Sequence, residues 1–206
     1  MRRRLPLATS YPDPGDLRDV RWRSPFFDQD QDSNRTMSQA CKLMARGVRR
    51  EVILYVPQTG QDDEDGVPRL QAPKSLWTTT TEPQKQTKVF SLPVEDSDKN
   101  QRPWHAKMLG LRGDRYSALM IGSSNFTCAG MGIGPARNAE ANLLTIVDRS
   151  SFAREVGAIE QVWPKGTLIE DPDSAEWLGA KVEDEQDEAM GTPVPTVPRD
   201  GRNSGR

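Results

Sequence analysis

The chain reads as an α/β protein, and three stretches carry that reading. Glu51–Val56, Glu-Val-Ile-Leu-Tyr-Val, is a short β-branched run stopped by Pro57, which suits a buried parallel strand better than a helix of that length. A strand candidate and a segment with helix start and stop signals precede it, so the three together form a βαβ unit. Farther on, Arg112-Gly113-Asp114-Arg115 reads as the turn of a hairpin between two apolar strands.

Each element follows in chain order. Asp19–Arg23 is a short strand that leads into Ser24-Pro25-Phe26-Phe27-Asp28. Ser33 is the expected cap of a helix that runs to about Arg46 and is closed by Gly47. After the Glu51–Val56 strand, residues 58–87 are polar and rich in Asp, Pro, Gln and Thr, as expected of a long loop or insertion with a short helix at Pro73–Trp77. Lys88–Leu92 is another strand. A strand carrying His105 comes next, and the hairpin then pairs Met108–Leu111 with Tyr116–Ile121. Ala141–Val147 is the last strand expected. A helix from Ser150 to Trp163 brings Phe152, Val156, Ile159 and Trp163 to one face, where they are expected in the core.

Composition bounds the rest. At 206 residues and 34% hydrophobic content, one core of ordinary size is expected, with residues 17–178 as the folded domain. Residues 1–16 read as a flexible leader. The net charge of −2 is unevenly spread: residues 1–169 carry +4, and 170–206 carry −6. From 179 onward an acidic run gives way to a Pro/Gly/Arg-rich end without aromatic residues, a composition expected to stay disordered. Cys41 and Cys128 have neither metal-ligand nor secretory spacing and are expected as reduced thiols. No apolar run approaches the roughly 20 residues that span a bilayer, so a cytoplasmic location without stable membrane insertion is expected.

The chemistry concentrates in one stretch. His105, the only histidine, stands two residues before Lys107, and on an extended strand that spacing points both side chains to one face. Fifteen residues after Lys107 comes Gly122-Ser123-Ser124-Asn125-Phe126-Thr127, whose short hydroxyl and amide groups suit phosphate oxygens. Gly130, Gly132 and Gly134 read as a loop after this run, because no parallel strand leads directly into a dinucleotide-type turn there.

His105, Lys107, Gly122, Ser123 and Asn125 together resemble the signature of the phospholipase D superfamily, His-x-Lys followed by Gly-Ser-x-Asn. The specific part of the resemblance runs from Trp104 to Val147, within a looser likeness over residues 17–165. It departs from the family at one member: the aspartate expected five positions after the lysine is Arg112 here, and Asp114 is the candidate for a displaced equivalent. The resemblance implies an α/β/α sandwich with a mixed sheet whose strand ends carry the motif.

It also implies a function: a metal-independent phosphodiesterase, acting on a phospholipid or a nucleic acid through a phosphohistidine. His105 would be the nucleophile. Lys107, Asn125, Ser123, Ser124 and the Gly122 backbone would hold the phosphate. Glu140 opens the strand after the motif; it reads either as the carboxylate that orients the histidine or as an exposed strand-initial residue. No cofactor is expected, and a lone histidine makes a poor metal site. In the family the acid that protonates the leaving group is the histidine of a second motif, and this chain has none. A homodimer, a second motif-bearing half, or a catalytically silent module that binds phosphate are the remaining alternatives.

Overall fold

The computed structural model describes residues 17–29, 33–44, 49–59, 66–79, 85–93, 107–135 and 138–179. His105, the leader 1–16 and the tail beyond Gly179 lie outside them.

The described chain is α/β, built on an open, mixed seven-stranded sheet. In chain order it contains β1 (Leu17–Arg23), α1 (Arg35–Leu43), β2 (Arg50–Pro57), β3 (Arg69–Leu70), α2 (Ser75–Thr78), β4 (Lys85–Leu92), β5 (Lys107–Gly113), β6 (Tyr116–Gly122), β7 (Asn142–Asp148), α3 (Ala153–Gln161), β8 (Thr167–Ile169) and β9 (Glu176–Trp177). The sheet order is β7-β6-β5-β1-β2-β4-β8, and β3 pairs with β9 separately. Strands β1, β2 and β4 are mutually parallel, while β5, β6, β7 and β8 join antiparallel.

Paired residues share a face of the sheet, which sorts the core into two layers. On one face Val20, Trp22, Val52 and Leu54 pack with Met37 and Ala40 of α1. On the other, Met108, Leu119 and Val147 pack with Ile159 of α3. Tyr55 lies between Phe90 and Trp163, with ring centroids 5.4 Å away on both sides. Gly110 is required beneath that stack, since a Cβ there would run into the Trp163 indole. Arg21 reaches Glu160 of α3 at 2.6 Å and ties the helix to the sheet.

Several expectations shift. Asn34, not Ser33, caps α1: its side-chain oxygen accepts from the Met37 amide at 2.8 Å. The helix stops at Leu43, and Gly47 lies outside the described residues. The polar stretch 58–87 is more than a loop. It contributes β3, α2 and the start of β4, and Leu70, Ala72 and Leu76 are fully buried in the main core. Phe152 is not core. It caps the helix from outside with φ −133°, before the first helical turn, and is 51% exposed. Val156 and Trp163 pack partly buried against their clusters.

Among the described residues, helical cover of the sheet is incomplete. On the α1 face an apolar cavity of roughly 620 Å³ opens between α1 and the β5–β6 hairpin, lined by Trp22, Leu43, Leu109, Leu111 and Met131 among others. No described helix is long and apolar enough to cross a membrane.

Candidate active site

Four strand ends converge at one edge of the sheet. β1 ends at Arg23 opposite Met108, β5 begins at Lys107, β6 ends at Gly122 and β7 begins at Asn142. This is the carboxyl edge of the parallel strands, where open α/β sheets present ligand sites. Lys107 and Gly122 are direct partners in the β5–β6 ladder. Residues 15 apart in sequence thus become neighbours, because a hairpin with a two-residue turn folds one strand back along the other.

The glycine has a steric reason. A Cβ on Gly122 would collide with the Ala141 carbonyl and the Asn142 side chain, so only glycine lets β7 begin there. Gly130 has the same kind of role beneath the motif, where a Cβ would lie 2.7 Å from the Asn125 carbonyl oxygen. Gly132 and Gly134 adopt positive φ, +65° and +99°, in the turn that follows.

Beyond Gly122 the chain leaves the sheet, and the polar groups of the motif part company. Ser123 is exposed; its hydroxyl donates to the Glu140 carboxylate and accepts from the Ala141 amide at 2.9 Å. Ser124 is buried and accepts from the Asn142 side-chain amide at 2.8 Å. Asn125 is 5% exposed, and its side-chain oxygen lies 3.5 Å from the Ser24 hydroxyl. Glu140 is half-buried and held on Ser123.

The segment Ser24–Asp28 clamps this loop. The buried Ser24 hydroxyl accepts from the Phe126 amide at 3.0 Å and donates to the Phe26 carbonyl at 2.6 Å. Asp28 accepts from the Cys128 amide at 2.9 Å and from Thr36 at 2.7 Å. Phe126 is fully buried against Trp22, with ring centroids 4.4 Å apart. Nothing in the local sequence marks Ser24 or Asp28 for this role, since their partners lie about 100 residues away. The only signal was the short polar and aromatic run at the end of a strand.

Lys107 carries the site's charge. Its ammonium lies 5.8 Å from the Phe26 ring centroid, a cation–π distance, and no described carboxylate pairs with it. Cys128 sits beside the loop, and burial pushes its thiol above the ordinary cysteine range, which favours the protonated form over a thiolate nucleophile. Both cysteines are free. Among the described residues no group of three or more His, Cys, Asp or Glu side chains could hold a metal ion.

Asp114 is not a displaced member of this set. It lies in the turn at the opposite end of the hairpin, seven residues from Lys107 along a strand that rises about 3.3 Å per residue, hence on the order of 20 Å away. There it pairs with Arg18 through both carboxylate oxygens. Tyr116, at the same end, is equally remote.

No protein-family model and no curated protein matches this chain.

Proposed function

We propose that the chain is a phosphodiester hydrolase of the phospholipase D superfamily with its reactive centre at the Lys107–Gly122 edge. The observation that carries this reading is an ammonium with no carboxylate partner among the described residues, placed by ladder pairing beside the Gly122–Asn125 loop and two residues after the only histidine. An uncompensated cation beside buried polar groups is suited to the charge that builds on phosphoryl oxygens.

The chemistry runs in two steps. A ring nitrogen of His105 forms a bond to phosphorus as the bond to the leaving oxygen breaks, and that oxygen takes up a proton. Water then cleaves the phosphorus–nitrogen bond and restores the imidazole. Lys107 and Asn125 stabilise the equatorial oxygens, supported by Ser123, Ser124 and the Gly122 backbone. Glu140, already bonded to Ser123, fixes that hydroxyl, and it is the carboxylate available to hold the histidine tautomer. The first proton must come from a second motif, supplied by another chain or a motif-bearing half, because one imidazole cannot attack and donate in the same step.

Turnover of bis(p-nitrophenyl) phosphate, lost in His105→Ala, tests the reading. Saturating chelator is expected to leave that turnover unchanged; loss restored by added magnesium or zinc would point to another mechanism. The single histidine also favours one other reading, a silent module that binds phosphate or pairs with a second motif-bearing domain. Phosphate binding without turnover, alone or with an added partner half, would select it. Phosphatidylcholine vesicles and single- and double-stranded DNA, assayed side by side, separate the two substrate classes.

A further inference from the structure

The two edges of the main sheet are built differently. At one, β8 is three residues long and stands between Lys165 and Glu170, the short, charged form that discourages further pairing. At the other, β7 offers seven residues, Asn-Leu-Leu-Thr-Ile-Val-Asp, with an unbroken ladder to β6 on its inner side and no described strand on its outer side. It contains no proline, no lysine and no bulge. Apolar side chains stand exposed on both of its faces, Leu143 at 72% on one, Leu144 at 54% and Ile146 at 47% on the other. Ile121, directly opposite Leu143 on β6, extends the first patch at 43%.

We propose that this edge is an interface between two copies of the chain, joined by antiparallel pairing of β7 with its two-fold mate centred on Thr145. The sequence is self-complementary about that point. Leu144 falls opposite Ile146 of the partner subunit, Leu143 opposite the partner's Val147, and Asn142 opposite the partner's Asp148, so apolar meets apolar and an amide meets a carboxylate. No like charges face each other across the pair. A two-residue slip, the smallest that keeps the faces aligned, would set Leu144 opposite the partner's Asp148 in one direction and Asn142 opposite the partner's Ile146 in the other, so the pattern favours this register. The contact is isologous and closes at two copies.

This assembly is separate from the phosphodiesterase reading. Antiparallel pairing puts the two Asn142 ends six residues apart along the shared ladder, about 20 Å. Each candidate site stays at its own end, and a second catalytic histidine would have to come through a different contact.

Sedimentation equilibrium of the full chain, from low micromolar to about 100 μM, is expected to show a monomer–dimer equilibrium. Leu144→Lys combined with Ile146→Lys should leave it monomeric with an unchanged circular dichroism spectrum, since both side chains are exposed in the monomer. Under mild oxidation Thr145→Cys should form a disulfide-linked dimer, because the two cysteines face each other across the axis. Leu143→Cys, four residues from its mate, should not, and the wild-type chain is the control for Cys41 and Cys128. A wild-type monomer at every concentration, or a dimer that survives the double lysine variant, overturns the proposal. Crosslinking of Leu143→Cys as fast as Thr145→Cys overturns the register. Apolar capture of a different partner by β7, with the chain itself monomeric, also counts against it.

Discussion

The two ends of the β5–β6 hairpin have similar polar content and opposite electrostatics. At the turn end three ion pairs form, Arg18 with Asp114, Arg112 with Asp19, and Arg115 with Asp148 at 3.8 Å, while Arg149 donates to the Ser117 hydroxyl. At the open end Lys107 faces an aromatic ring, and the polar groups around it are neutral or, like Glu140, already bonded to a neighbouring hydroxyl. Paired charges hold a turn together but leave little field for a ligand, whereas a cation with no carboxylate partner among the described residues keeps its field for an anion. That difference separates a structural end from a reactive one.

The largest test of the comparison is loss of function at the open end. His105→Ala should abolish phosphodiester cleavage, and Lys107→Ala or Asn125→Ala should lower kcat by roughly two orders of magnitude, the scale of removing a major transition-state contact. Steady-state kinetics and an acid-free quench for phosphohistidine would check this, and full activity in the His105 variant would sink the assignment.

Next comes the clamp. Ser24→Ala leaves the buried Phe126 amide without its acceptor, so urea denaturation should show a loss of about 1–3 kcal/mol. Because the Ser24 hydroxyl also lies 3.5 Å from the Asn125 side-chain oxygen, kcat should fall more than KM rises. A variant of wild-type stability would mean that the loop is held by other contacts.

At the turn end, Asp114→Asn should leave turnover unchanged, and a drop like that of Lys107→Ala would contradict the division between the two ends. Its effect is confined to stability and pH. The Arg18 hydrogen bonds hold the Asp114 carboxyl below the ordinary aspartate value of about 3.9. A depressed folded value means that the contribution is present above the unfolded pKa and is lost as pH falls through the folded one. The difference in urea midpoint between wild type and Asp114→Asn should therefore be constant near neutrality and shrink in acid. It should also be small and salt-sensitive, since both partners are solvent-exposed.

What the sequence determined by itself was local. The Glu51–Val56 run, the Arg-Gly-Asp-Arg turn and the apolar strands beside it depend on period and turn chemistry within a few residues, and they appear as β2 and the β5–β6 hairpin. The proximity of Lys107 to Gly122 followed from the same turn. Tertiary structure alone decided the rest. Whether Ser33 or Asn34 caps α1 depends on which side chain reaches the Met37 amide. Phe152 has helical spacing but lies before the first turn. Leu70 and Leu76 sit in a polar stretch, yet the sheet buries them. Ser24 and Asp28 acquire their role only because β1 passes beside β5 and carries them to a loop about 100 residues downstream. Such contacts leave no periodic trace: a buried hydrogen bond needs one donor and one acceptor in the right place, and the chain can supply them from any distance.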